Sequence, residues 1–257
     1  MEKFECKQCG KKFDTKDALV QHTKDAHEKT KTEKKKFHVK KYLIYTIVVL
    51  IFIGFIYAVY SLVVSSQKIG SQNVNNFTVP LYAVNRGSDS ANVTVIEFAD
   101  YQCPVCKTFF DQTEPQLLQN YVNTSKTKFY FVDFAFLGQD SFTLAQGSWC
   151  ANEQGKYYDY YDYIFSNQGT ENSGWATQDK VKTFASQISG LNVTQFDSCL
   201  DSNKYLSRVQ DEANLAQTYG VSATPTFFIG KLGNFTKLVG NQPYSVFQQT
   251  IDSYLMK

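Results

Sequence analysis

The sequence predicts an α/β fold interrupted by a helical insert, preceded by a membrane-spanning helix and a small ββα module held by cysteines and histidines. Three observations carry this. An apolar run, Val93 to Phe98, leads into Cys103-Pro104-Val105-Cys106 at the start of a helical stretch. Tyr42 to Val64 is twenty-three residues without a charge. Near the N-terminus, Cys6-x2-Cys9-x12-His22-x4-His27 places two thiols and two imidazoles within one short segment.

The N-terminal segment, residues 1–30, comes first in the chain. Two thiolates and two neutral imidazoles at this spacing are the ligand set of a tetrahedral Zn2+ site, so Cys6, Cys9, His22 and His27 are the expected ligands. Residues 4 to 27 resemble the C2H2 zinc finger family, with Phe4, Phe13 and Leu19 at its small-core positions. So short a segment buries too little apolar surface to fold unaided, and the metal would supply the missing free energy. The resemblance puts base-reading positions at Thr15, Ala18 and Gln21. None offers an arginine for bidentate contact with guanine, which argues against DNA and leaves a contact with an unknown cytoplasmic protein or a purely structural role.

The net charge of +2 conceals an asymmetry: residues 1–41 carry thirteen lysines against seven acids, and the remainder carries thirteen bases against seventeen acids. Residues 31–41 form a basic juxtamembrane segment. At 1.5 Å per residue, 42–64 spans about 34 Å as a helix, enough for a hydrocarbon core of roughly 30 Å. Lys34, Lys35, Lys36, Lys40 and Lys41 lie on its N-terminal side, so the positive-inside rule predicts a single-pass anchor in the cell membrane, N-terminus cytoplasmic and the rest extracytoplasmic. A cleaved signal peptide is the alternative, but its apolar region is usually shorter and does not follow a forty-residue polar head.

Residues 65–80 are polar and aperiodic and read as a linker. The main domain, 81–257, then begins. Leu81 to Val84 suggests a short strand, and Val93 to Phe98 a strand buried on both faces. A helix over 104–121 and a strand over Phe129 to Phe134 complete a β-α-β unit. From 139 to about 220 the pattern is helical, with segments at 141–154, 156–167, 177–188, 193–201 and 204–219. Strands resume at Thr226 to Ile229 and Thr236 to Val239, and a last helix covers Tyr244 to Leu255. The run Tyr157, Tyr158, Tyr160, Tyr161, Tyr163 reads as packing rather than as a groove for unfolded chains.

A C-x-x-C after a strand, paired with a distant Thr224-Pro225-Thr226, resembles the thioredoxin fold, and the helical insert resembles its DsbA-like branch. A sulfur at a helix N-terminus is stabilised as thiolate, making Cys103 the attacking residue and Cys106 the resolving one. Pro104 suits the first turn, where its missing N–H has no partner. The resemblance implies that Thr224-Pro225 is a cis-proline element facing the dithiol, with Thr224 Oγ beside the reactive sulfur. It also places Glu97, six residues before Cys103, at a buried acid position that accepts a proton from the deeper thiol; a solvent-facing strand-edge glutamate is the alternative. Val105 departs from the histidine of the best-known DsbA, predicting a milder oxidant.

Cys150 and Cys199 fall in insert helices. In an oxidising compartment a structural disulfide is their simplest pairing, against a four-cysteine metal site that the strand and Thr-Pro contexts disfavour. No histidine follows His38, which excludes imidazole catalysis in the domain. Sequons beginning at Asn76, Asn92, Asn123, Asn192 and Asn234 permit glycosylation. The reading is a thiol-disulfide oxidoreductase acting on exported proteins with thiols, needing no cofactor in its redox domain. The resemblance implies a membrane quinone-linked reoxidase. A reductase or isomerase using the same dithiol is one rival; a redox sensor or tether coupling it to the finger's partner is the other.

Overall fold

The computed structural model describes residues 3–28, 45, 47–59, 72–75 and 77–256, in two compact units, Met1–Ile69 and Gly70–Lys257. In the first, β1 (Phe4–Glu5) pairs antiparallel with β2 (Lys12–Phe13), and α1 (Lys16–Thr23) follows, running on into a wider turn over Lys24–Glu28. Thr15 caps α1 by accepting from the Ala18 N–H at 3.3 Å, satisfying one of the unpaired donors of the first turn. Cys6 is the only buried residue described here, with Phe4, Phe13 and Leu19 half-buried around it.

Residues 45 and 47–59 are helical and fall inside the expected span, whose other residues, like 31–41, lie outside those described. Among the described residues no helix is long and apolar enough to cross a membrane.

The second unit is built on a six-stranded sheet of order β3-β8-β7-β5-β6-β4. Its strands are β3 (Gln72–Asn75), β4 (Asn85–Gly87), β5 (Val93–Ala99), β6 (Thr127–Asp133), β7 (Thr226–Lys231) and β8 (Asn234–Val239). Among the described residues only β5 and β6 run parallel, and the other pairings are antiparallel. β5 is buried along its whole length, as its unbroken apolar pattern predicts. Its odd-numbered side chains enter one core with Phe129, Phe131 and Phe227, and Ile96 and Phe98 enter the other with Phe77 and Phe228. Between β5 and β6 run α2 (Pro104–Gln112), α3 (Glu114–Leu117) and a wider helical turn at Leu118–Val122. The insert supplies α4 (Gln139–Asn152), α5 (Tyr157–Ser166), α6 (Gln178–Ala185), α7 (Val193–Asp201) and α8 (Leu206–Thr218), and α9 (Tyr244–Leu255) closes the chain.

Three expectations are corrected. The linker over 65–80 ends earlier, because β3 is an edge strand on β8 and Phe77 is buried, stacked on Phe228 with ring centroids 4.5 Å apart. The polar sequence of β3 hides it, since an edge strand gains its order from backbone pairing rather than from an apolar face. Leu81 to Val84 forms no strand: Leu81 is fully exposed in a turn, and the strand is β4. The helix over 104–121 is broken at Thr113, because Pro115 has no N–H to donate back to Asp111. The tyrosine run packs as expected, with Tyr157, Tyr160 and Tyr161 buried in the core.

Candidate active site and metal centre

β5 ends at Ala99, and a tight turn delivers Cys103 to the N-terminus of α2, where the Cys103 N–H donates to the Asp100 carbonyl at 3.0 Å. Cys103 is the N-cap in extended conformation, with Pro104 in the first turn. Its Sγ accepts from the Cys106 N–H at 3.4 Å, so the orphan donors of the helix end point at this sulfur. Hydrogen bonding from the Cys106 thiol is the largest influence lowering the Cys103 thiol, to about 6; the Thr224 side chain and the Cys106 and Val105 backbones add to it, against a burial that pushes upward. Cys106, one turn on, lies on the core face beside Phe109, and burial drives its thiol well above the ordinary value. The two sulfurs of one dithiol are thus split in opposite directions by their places on a single helical turn.

The β7 entry completes the site. The Thr224–Pro225 peptide is cis, and Cys103 Sγ lies 3.5 Å from the Thr224 carbonyl, close enough for the protonated thiol to donate to it. The Pro225 carbonyl accepts from the Gly240 N–H at 2.7 Å, tying this turn to the end of β8. Glu97 is fully buried, with Phe131 and Phe227 as its cross-strand neighbours, which rules out the solvent-facing alternative. Burial, and then the charges of Glu114 and Cys103, hold its carboxyl well above the carboxylate range. The structure therefore brings Cys103, Cys106 and Thr224–Pro225 together, with Glu97 beneath them in the sheet.

Several residues of the site are not visible as motifs. The buried Asp100 accepts from the Gln102 N–H (2.8 Å) and Ser141 hydroxyl (2.7 Å) on Oδ1, and from the Phe136 (2.9 Å) and Leu137 (3.1 Å) N–H groups on Oδ2. Gln168 donates to the Tyr101 and Cys103 carbonyls at 2.8 and 3.1 Å. These bonds fasten the active-site turn to the helical insert. Glu114 accepts from Tyr161 at 2.7 Å and Arg86 at 3.3 Å, and burial raises it to about 7. The one sequence signal for such residues is an acid or amide within an otherwise apolar or small-residue environment. Away from this site, Cys150 and Cys199 form a disulfide between α4 and α7, with Cα atoms 5.8 Å apart.

In the first unit the ligand atoms of Cys6, Cys9, His22 and His27 lie within 4.8 Å of one another. Cys9 Sγ approaches His22 Nε2 to 3.1 Å, and Cys6 Sγ approaches His27 Nε2 to 3.6 Å. Atoms bound at about 2.0–2.3 Å to one tetrahedral ion stand roughly 3.3–3.8 Å apart, so the donor set is compatible with Zn2+ once small side-chain shifts even out the present spacings.

A split dithiol capping a helix beside a cis-proline defines a thiol-disulfide oxidoreductase. The chain belongs to the thioredoxin family, whose model matches residues 81–253, and residues 4–27 match the C2H2-type zinc finger model. It is 28% identical over 173 residues to disulfide bond formation protein D of Bacillus subtilis, covering 66% of this chain and 75% of that one. The crystal structure of oxidised BdbD from Bacillus subtilis matches with a TM-score of 0.66 at 24% identity, over 72% of this chain and 100% of that chain. Wolbachia pipientis alpha-DsbA1 matches with a TM-score of 0.62 at 21% identity, over 70% and 94%. These two structural likenesses carry the fold: a thioredoxin domain with a helical insert.

Proposed function

We propose that this protein is a membrane-anchored oxidant that donates the Cys103–Cys106 disulfide to pairs of thiols in exported proteins. The observation that carries the direction is the similarity to disulfide bond formation proteins, and a Cys103 thiol lowered to about 6 at the helix N-terminus agrees with it. A stabilised thiolate favours the reduced dithiol and so makes the disulfide the better oxidant. In each cycle a substrate thiolate attacks Cys103 Sγ and Cys106 departs with the electron pair. The substrate's second thiolate then attacks its own sulfur in the mixed disulfide, and Cys103 leaves as the thiolate. Thr224–Pro225 flanks the attacked sulfur, where the backbone of a bound peptide would pair, and Glu97 would take or return the Cys106 proton.

The uncharged segment 42–64 with its N-terminal lysines supports a single-pass anchor holding the domain outside the membrane. Reoxidation by a membrane quinone-linked partner is what the DsbA-like resemblance implies. Cys6, Cys9, His22 and His27 would hold Zn2+ in a cytoplasmic finger that meets a protein rather than DNA.

Val105, 45% exposed and without a donor, supports the rival reading as a reductase or isomerase. An equilibrium titration of the full chain against glutathione, read by mapping the Cys103 and Cys106 peptides, separates them. A potential between about −120 and −200 mV supports the oxidant; one near about −270 mV turns the reading to a reductase.

A further inference from the structure

Resolving the dithiol moves a proton at a sulfur that water does not reach. Cys106 is buried, and Glu97 beneath it is buried too; its carboxylate oxygens have no partner within 3.5 Å among the described residues, and the Tyr161 hydroxyl is the side-chain group that approaches them, easing the carboxyl down against its burial. A proton taken from Glu97 must be replaced from solvent. The exposure of successive polar groups shows a route: Glu97 and Tyr161 are fully buried, the Glu114 side chain is 1% exposed, Arg86 20% and Asp162 48%. Tyr161, from α5, lies in the field of both carboxyls, and its hydroxyl donates to Glu114 Oε2 at 2.7 Å. Its oxygen keeps a lone pair for a donor on the Glu97 side. Arg86, from β4, donates through Nη1 to Glu114 Oε1 (3.3 Å) and through Nη2 to Asp162 Oδ2 (2.5 Å). Arg86, Tyr158 and Asp162 line a surface cleft.

We propose that Tyr161 and Glu114 form the outer half of a proton path that connects Glu97, and through it Cys106, to solvent at the Arg86–Asp162 cleft. This rests on the reading of Cys103 and Cys106 as the exchanging pair. When a substrate thiolate forms its bond to Cys103 Sγ, the Cys103–Cys106 bond breaks and Cys106 leaves as a thiolate. It takes the proton of Glu97; the Tyr161 hydroxyl turns from Glu114 toward Glu97, gives it a proton and accepts that of protonated Glu114 in its place; Glu114 takes one from water at the cleft. No other group changes charge: Arg86 stays a cation and Tyr161 ends neutral. Oxidation runs the same sequence backwards. The charged and titratable groups facing the path are Cys103 and Cys106 from α2, Tyr158 and Asp162 from α5, and Arg86 from β4. Burial supports the assignment by pushing the Glu97 carboxyl well above the carboxylate range and raising Glu114 to about 7, where it exchanges readily with neutral water.

A purely structural Arg86–Glu114 pair would stabilise the β4 edge without touching the rate of exchange. The test is therefore kinetic, on the oxidised full chain reduced by dithiothreitol, followed by intrinsic fluorescence from pH 5 to 9. Tyr161→Phe removes one oxygen and keeps the ring. It is expected to slow reduction near pH 7 about tenfold and to displace the inflection of the pH profile; Glu114→Gln should do the same and Glu114→Asp recover part of the rate. Because all three residues serve one proton, Glu97→Gln with Glu114→Gln should be no slower than Glu97→Gln alone. A folded Tyr161→Phe protein with an unchanged pH profile, or multiplying effects in the double variant, overturns the path. If wild-type Cys103 and Cys106 fail to exchange at all, the reading of the dithiol fails instead.

Discussion

The chain contains two C-x2-C pairs of identical spacing, and their chemistry differs because of what surrounds them. Cys6 and Cys9 sit on a hairpin that turns their sulfurs toward His22 and His27. Cys103 and Cys106 sit across the first turn of a helix packed on a sheet, where no imidazole is available and one sulfur caps the helix while the other enters the core. Spacing alone thus leaves the choice between metal ligand and redox dithiol open. Their partners set the two apart: nitrogen donors, compatible with Zn2+, in one case, helix end and apolar burial in the other.

The most severe way to break this comparison is to remove the groups each pair depends on. Cys103→Ser should reduce exchange with dithiothreitol to background, whereas Cys6→Ser should leave that rate within about twofold. A chelator should do the opposite, abolishing the helix at Lys16–Thr23 because the finger buries little beyond Cys6, while the melting transition of the second unit stays in place. Circular dichroism of the full chain with and without chelator reads both. A finger that keeps its helix in chelator would show that its core suffices.

A smaller effect is expected from the third pair. Cys150→Ala with Cys199→Ala opens a loop with a sequence separation of 49 and should lower stability by about 4 kcal/mol in the chain-entropy treatment, leaving the Cys103–Cys106 exchange rate intact. Denaturant unfolding of the oxidised protein measures the first quantity. A loss of exchange in the folded fraction would tie this bridge to the site.

The buried acids predict a weaker and unusual pH dependence. Glu114 is raised to about 7 by burial, and Glu97 and Asp100 are raised for the same reason. The native state therefore binds more protons than the unfolded chain, whose carboxyls titrate near about 4. Their stabilisation is fully present below that value and is lost as pH rises through the folded value, so stability should fall between about pH 4.5 and 7, by on the order of 3 kcal/mol for Glu114. Glu114→Gln should flatten the slope in thermal melts across this range. The smallest effect concerns Val105: Val105→His adds a donor beside Cys103, which should lower its thiol further and raise the potential by roughly 30 mV per tenfold gain in oxidation equilibrium.

Much of this was legible in the sequence where periodicity or spacing encodes it. The strand ending before Cys103, the helices of the insert and the last helix at Tyr244–Leu255 follow from local pattern, and the cis-proline at Thr224–Pro225 from the DsbA-like resemblance. What escaped was set by distant contacts. β3 is polar and ordered by pairing with β8, and Asp100 and Gln102 read as ordinary turn residues until Ser141 and Asn172 of the insert meet them. Glu114 looked like one more polar residue of a single helix. Only the fold reveals that the helix breaks before it and points it at Tyr161 and Arg86.

The central claim is that one helical turn divides the dithiol into an activated outer sulfur and a silenced inner one. Its most direct measurement is the thiolate titration of reduced Cys103, followed by ultraviolet absorbance in a Cys106→Ala background and by pH-dependent alkylation of Cys103 and Cys106 in the wild-type chain. The account predicts that wild-type Cys103 is labelled with a midpoint near about 6 and Cys106 only far above it. Because the Cys106 thiol is the largest single influence on Cys103, the Cys106→Ala midpoint should lie higher than the wild-type one while remaining below the ordinary thiol value. A wild-type Cys103 titrating at about 8.5 like a free thiol, or faster labelling of Cys106, would contradict it.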